Sequence, residues 1–291
     1  MRSAPKLPTV LTDSVDIAVR RTEDENMDEM KNRAAYTMRR RGGHGPESGG
    51  RSKEGPRISL LGGFRLEDEG AAIVLPEGSR RLLAFLALRG RLVKRPVAAG
   101  TLWPVSTEEH ASSSLRTALA RLPDSGRAAV EATARDLGLS GRVTVDIWES
   151  RALAHRLLAP ESSTQGGDVG AGAVSDLSGE LLPDWYDEWV LIEAEDWRQL
   201  RLHALEALAT RLTARGHYGD AAAAALAAVR AEPLRESPRA ALIRVHIAEG
   251  NISEALREFA RYRELLMVEL GVEPTERLHA LVADLFDVTP R

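Results

Sequence analysis

Apolar positions fall into three regimes along the chain. Residues 1–56 show no sustained hydrophobic period. They are rich in charge and glycine, and Arg39-Arg40-Arg41-Gly42-Gly43 leads into a Gly/Ser/Pro-rich run ending near Pro56. Such a stretch cannot bury enough apolar surface to fold and reads as a disordered tail whose basic cluster is solvated. Met27, Met30 and Met38 stand as alternative starts within it.

Residues 57–148 read as β-β-β-α-α-α-β-β. Ile58, Leu60, Phe64 and Leu66 alternate around Gly62-Gly63, which predicts a short hairpin. Ile73-Val74-Leu75 predicts a third strand, stopped by Pro76 and Gly78. Leu82, Leu83, Leu86 and Ala87 have helical spacing, with Ser79 placed to cap the start. Pro96 opens a second helix that runs to Leu102-Trp103 and is stopped by Pro104. A third helix, about 109–122, gathers Ala111, Leu115, Ala118, Leu119 and Leu122 on one face. Its other face carries Ser112, Ser113, Arg116, Thr117 and Arg121. Residues 129–132 and 143–145 predict two strands flanking a turn at 138–142.

Residues 149–291 are helical in pattern, with a Gly/Ser/Asp-rich loop at 160–179. An internal repeat is visible beyond it. Arg215-Gly216-His217-Tyr218-Gly219-Asp220-Ala221 aligns with Glu249-Gly250-Asn251-Ile252-Ser253-Glu254-Ala255, an offset of 34 residues. That is the period of tetratricopeptide helix pairs. Leu208 then falls on Leu242 and Ala222 on Leu256, with helices at 181–200 and 275–287 expected to cap the two units. The predicted organisation is therefore a tail (1–56), an α+β winged helix-turn-helix domain (57–148) and an all-α, TPR-like domain (149–291).

Composition narrows the function classes. Aromatic residues make up only 4% of the chain, so its cores rest on Leu, Ala and Val, which favours packed helices over a β-sandwich. The absence of cysteine excludes disulfides, thiolate metal sites and cysteine nucleophiles. No apolar run approaches the roughly 20 residues a membrane helix needs, and the first residues lack a signal-peptide core. The expected setting is the cytoplasm. Net charge is +2 over 1–56, +3 over 57–148 and −9 over 149–291. A basic module joined to an acidic one suits a nucleic-acid reader linked to a protein-facing domain.

Enzymatic signatures are missing. There is no phosphate loop, no H-E-x-x-H and no nucleophile elbow, and the seven histidines are scattered. The expectation is a non-enzyme without metal or cofactor. One cluster, Pro183-Asp184-Trp185-Tyr186-Asp187-Glu188-Trp189, could be read as an aromatic platform with paired carboxylates. The plainer reading makes Asp184 a helix cap and Trp185 and Trp189 core anchors one turn apart.

The sharper signal is the third helix. A short helix, a turn and a helix with a polar outer face is how helix-turn-helix proteins reach the major groove. Arg116 and Arg121 can each pair bidentately with guanine. Ser112, Ser113 and Thr117 can reach phosphates or base edges. Arg80, Arg81, Lys94 and Arg95 lie near helix starts, where cations and backbone amides hold phosphates. Arg135 and Arg142 fall near the predicted wing tip, suited to a backbone or minor-groove contact.

These stretches occur in a familiar order. Ile58-Ser59-Leu60-Leu61-Gly62-Gly63-Phe64, Leu102-Trp103-Pro104 and Ser114-Leu115-Arg116-Thr117-Ala118-Leu119-Ala120-Arg121-Leu122 come first. Val143-Thr144-Val145-Asp146-Ile147-Trp148 and Leu181-Leu182-Pro183-Asp184-Trp185-Tyr186-Asp187-Glu188-Trp189 follow. Arg198 to Glu206, Pro233-Leu234-Arg235-Glu236 and Glu269-Leu270-Gly271-Val272-Glu273-Pro274-Thr275 complete the set. The chain over about 57–287 resembles the small actinobacterial antibiotic regulatory proteins, the SARP family. These join an OmpR/PhoB-type winged helix to a bacterial transcriptional activator domain.

The resemblance implies a pathway-specific activator of a biosynthetic, secondary-metabolite gene cluster. It implies binding to direct repeats in double-stranded DNA near the −35 promoter region, side by side as a homo-oligomer on DNA. It also implies recruitment of RNA polymerase, with contact to sigma factor region 4 and residues 103–109 facing polymerase. By the same resemblance Arg116 and Arg121 fall on the recognition helix, and ATP is not expected because the phosphate loop of larger members is missing. The chain departs from the family in its longer tail, its Ser-rich rather than strongly basic third helix, and Pro123-Asp124-Ser125 in place of a basic continuation. These departures leave open a rival reading, a TPR-like adaptor whose winged helix no longer reads DNA.

Overall fold

The computed structural model describes residues 55–160 and 168–286; the tail expected over 1–56 lies outside them up to residue 54. The chain opens with β1 (Arg57–Ser59), β2 (Arg65–Asp68) and β3 (Ala71–Ala72). There follow α1 (Glu77–Arg89), β4 (Val93–Lys94), α2 (Arg95–Leu102), α3 (Glu108–Ala120), α4 (Asp124–Ala128), β5 (Val130–Ala132) and β6 (Asp136–Leu139). After β7 (Thr144–Val145) come α5 (Asp146–Leu158), α6 (Ala171–Ser178), α7 (Glu188–Ala214), α8 (Tyr218–Ala231), α9 (Glu236–Glu249), α10 (Ile252–Leu270) and α11 (Glu276–Phe286). The fold is an α+β winged helix-turn-helix followed by a TPR-like helical domain.

Contacts divide the described residues into two units, and the division is not sequential. One unit holds Leu75–Val143 with residues 55 and 56; the other holds Arg57–Val74 together with everything from Thr144 on. The chain therefore passes between the units after Val74 and back after Val143, whereas the sequence pattern suggested one border near 148.

In the first unit α1 is the centre. Leu82, Leu83, Ala84, Phe85, Leu86, Ala87 and Leu88 are all buried, so α1 is apolar around most of its circumference, as a central helix must be. It ends at Gly90, whose φ of 58° is the left-handed cap conformation that glycine adopts without strain. The predicted Ser79 cap is not one. Pro76 occupies the N-cap position, and Ser79 lies fully buried inside the helix. The three-stranded sheet has the antiparallel order β4-β6-β5.

The wing differs from expectation. β5 and β6 pair through Val130↔Leu139 and Ala132↔Leu137, so the hairpin turns at 133–135, not at 138–142. Thr133 makes that turn: its Oγ1 accepts from the amides of Arg135 (3.2 Å) and Asp136 (2.9 Å). Gly138, expected to mark the turn, sits instead in β6. A Cβ there would come within 2.8 Å of the Leu92 side chain.

In the second unit the sheet order is β3-β2-β1-β7. β1 and β2 form the predicted hairpin, with Ile58 opposite Leu66. The third strand falls at Ala71–Ala72, ahead of the predicted 73–75. β7 adds in parallel, Arg57↔Thr144 and Ile58↔Val145. Leu61 and Leu181 form an antiparallel bridge, and Leu182 N donates to Leu60 O at 3.0 Å.

The helical pairs follow the 34-residue repeat. Gly216 and Gly250 both have positive φ (76° and 83°) at equivalent turns. Ala221 and Ala255, one helical turn later, are both fully buried. The residues 160–179, read as a loop, contain α6, whose Ala173 and Leu177 are buried four apart. The long helix α7 starts at Glu188, so residues 181–187 are not helical. Asp187, not Asp184, holds its N-cap position.

Candidate nucleic-acid interface

α3 begins at Thr107, whose hydroxyl accepts from the His110 amide at 3.4 Å. Ala111, Leu115 and Ala118 anchor it, while Glu109, Ser113, Arg116, Thr117, Ala120 and Arg121 are exposed. At 100° per residue those six positions form one stripe along the helix. The helix therefore presents the predicted polar face, with Ser112 half-buried at its edge. Thr117 Oγ1 donates back to Ser113 O at 3.0 Å, which leaves its methyl and an acceptor lone pair for outside partners.

The last turn of a helix leaves carbonyls without helical partners. Each is satisfied in α3. Thr117 O accepts from Arg121 N and Leu119 O from Leu122 N. Ala118 O takes the buried Ser79 hydroxyl at 2.7 Å, and Ala120 O takes Arg127 Nη2 at 3.0 Å. Arg127 Nε also donates to Leu122 O at 2.9 Å. Ser79 and Arg127 thus fix the end of the exposed helix. The sequence reading missed both, taking Ser79 for a cap and passing over Arg127; a basic residue four positions past a proline stop was the available signal. Ser79→Ala and Arg127→Ala are each expected to cost the first unit about 1–2 kcal/mol, measured by denaturant unfolding of each variant beside the parent.

The predicted residues separate into two groups. Ser113, Thr117 and Arg121 line a concavity of about 240 Å³ together with Pro76, Gly78, Ser79, Trp103, Ser114 and Ala118. Arg116 stands on the same helix face outside it. Arg80 and Arg81 lie in the early turns of α1, the first exposed and the second half-buried.

Lys94, Arg95 and Arg135 gather instead at the wing. Arg95 Nε donates to Thr133 O at 2.8 Å and its amide to Arg135 O at 3.0 Å. Lys94 Nζ lies 2.9 Å from Asp136 and stays 65% exposed. Arg95 therefore holds the wing turn, while Arg135 is exposed at the turn itself. Arg142 is exposed in the β6–β7 connection, away from the turn. Between 75 and 143 the chain carries eleven Lys and Arg against six Asp and Glu, a net of +5.

Among the described residues no cluster of three or more His, Asp or Glu could hold a metal, and no helix is long and apolar enough to cross a membrane. The Trp/Asp segment forms an aromatic stack. Trp185 lies 6.2 Å from both Phe64 and Trp189 between ring centroids, with Trp189 buried.

Known proteins agree with this architecture. The family model of the bacterial transcriptional activator domain matches residues 145–285. Regulatory protein AfsR of Streptomyces coelicolor is 28% identical over 261 residues, which cover 80% of this chain and 24% of AfsR. The chain thus spans about a quarter of the length of that curated relative. The solved structure of Mycobacterium tuberculosis EmbR in complex with a low-affinity phosphopeptide superimposes with a TM-score of 0.55 at 23% identity, over 81% of this chain and 66% of EmbR. The shared fold is a winged helix-turn-helix followed by a helical domain. Over residues 145–285 the chain is thus similar to bacterial transcriptional activator domains, and over 80% of its length to a bacterial regulatory protein.

Proposed function

We propose that this protein is a sequence-specific DNA-binding transcriptional activator that reads direct repeats in double-stranded DNA through the exposed face of α3. The observation that carries the reading is that stripe: Arg116, Thr117 and Arg121 stand outward on a helix whose other face and far end are anchored. It belongs to a unit of net positive charge. Arg116 and Arg121 would supply guanine contacts, and Ser112, Ser113 and Thr117 contacts to phosphates or base edges. Arg135 at the wing turn, with Lys94 and Arg142, would meet the backbone, and Arg80 and Arg81 phosphates beside α1. Arg95 serves mainly to hold the wing.

On the family pattern the operator lies near the −35 region of a pathway-specific, secondary-metabolite gene cluster. Copies of the chain bind side by side in the cytoplasm, and RNA polymerase is recruited through sigma factor region 4. The test is in vitro selection of duplexes from a random pool by the full-length chain at fixed, near-physiological salt, with Arg116→Ala/Arg121→Ala beside it. The expected result is an enriched direct repeat spaced about one helical turn (roughly 10–11 bp) and lost in the double variant. Folded protein that enriches nothing would point to the adaptor reading.

A further inference from the structure

The exposed stripe of α3 starts with an acid. Glu109 stands four residues before Ser113 and seven before Arg116, so it shares their face. It is exposed, and among the described residues its carboxylate has no cation or hydrogen-bond donor. Glu108, its neighbour, is also exposed and already places a negative charge in the first turn, where the helix dipole favours one. A second carboxylate on the side that faces DNA is repelled by phosphate unless it meets a donor. In the major groove the only donors on base edges are the exocyclic amines of cytosine and adenine.

Resting on the DNA-reading proposal above, we infer that Glu109 is a specificity-determining residue that accepts a hydrogen bond from the N4 amine of cytosine. Cytosine is chosen over adenine by what lies next to the amine. Adenine presents the N7 lone pair beside N6, which repels a carboxylate, whereas cytosine presents a C–H. Seven residues of helix separate Glu109 from Arg116 by about 10.5 Å, or about three base-pair steps of about 3.4 Å each. The cytosine therefore sits two to four base pairs from the guanine that Arg116 contacts.

The experiment repeats the selection with the full-length parent, Glu109→Gln, Glu109→Ala and Arg116→Ala, and measures the unfolding midpoint of each. The parent is expected to enrich a cytosine at this distance from the position that Arg116→Ala relaxes. Glu109→Gln is expected to turn that one position toward adenine, because a glutamine amide matches adenine N6 and N7. Glu109→Ala is expected to lose the preference there, by about ten- to a hundredfold, with other positions unchanged. A parent that enriches a repeat whose base preferences survive both Glu109 substitutions overturns the inference and leaves the DNA-reading proposal standing. A folded parent that enriches nothing overturns the DNA-reading proposal, and this inference with it.

Discussion

Replacing Trp197 with alanine is expected to lower the unfolding free energy of the helical unit by about 3–5 kcal/mol. Trp197 is the largest fully buried side chain among the described residues, 1% exposed, on the inner face of α7. Its indole Nε1 donates to Gly179 O at 2.9 Å, and Arg201, one helical turn on, donates Nη1 to Ser178 O at 2.7 Å. Two side chains of α7 thus satisfy the carbonyls that end α6. Truncation to alanine opens a cavity and strands one of them. Gly179 itself is held close against β1–β2, where an added Cβ would come within 2.8 Å of Leu61 Cβ. Trp197→Phe keeps most of the volume and should cost about 1–2 kcal/mol, mainly the lost N–H. Equal midpoints for Trp197→Ala and the parent in urea unfolding would contradict this account.

Asp146→Ala is expected to cost about 2–3 kcal/mol and to remove a pH dependence. The Asp146 carboxylate accepts from the amides of Leu60 (2.9 and 3.0 Å), Leu61 (3.0 Å) and Ile147 (2.7 Å). It joins the end of β1 to the start of α5. Burial raises its pKa above the ordinary 3.8 and outweighs the three amides and Arg57, which pull it down. A raised folded value means the native state holds a proton that the unfolded chain releases. The contribution is full below the ordinary carboxylate value and is lost as pH rises through the raised one. Unfolding free energies of the parent and Asp146→Asn, measured at steps from pH 3 upward, should therefore converge or cross as pH rises through that window. A constant difference would mean that Asp146 does not titrate differently on folding.

Elements whose signal is local were legible in the sequence. The α3 face, the β1–β2 hairpin and the two glycine turns of the repeat follow from period and turn chemistry over a few residues. What was missed depends on distant partners. β6 is such an element: it exists because β5 and β4 pair along its two edges. α6 reads as loop composition because, among its described side chains, only Ala173 and Leu177 are buried. Ser79 has the propensity of a cap, but burial against Ala118 decided its use. Asp184 was read as a cap, but it lies in a turn closed by Trp185 N on Leu182 O, and the helix starts only after Asp187. At the candidate interface the residue types were readable. What was not readable is that the Arg95 guanidinium also holds the Thr133 carbonyl.

The double passage of the chain, out after Val74 and back after Val143, makes residues 75–143 a guest within the sequence of their host. A guest of this kind is exchangeable as a cassette. Residues 75–143 of a relative can replace these without disturbing the pairing of Arg57 with Thr144 or the grip of Asp146 on Leu60 and Leu61. A protease that nicks the guest leaves the host as two peptides held by their sheet, cut but not parted. A chain started at residue 145, where the match to the activator domain begins, lacks β1 to β3 and leaves that carboxylate without two of its donors.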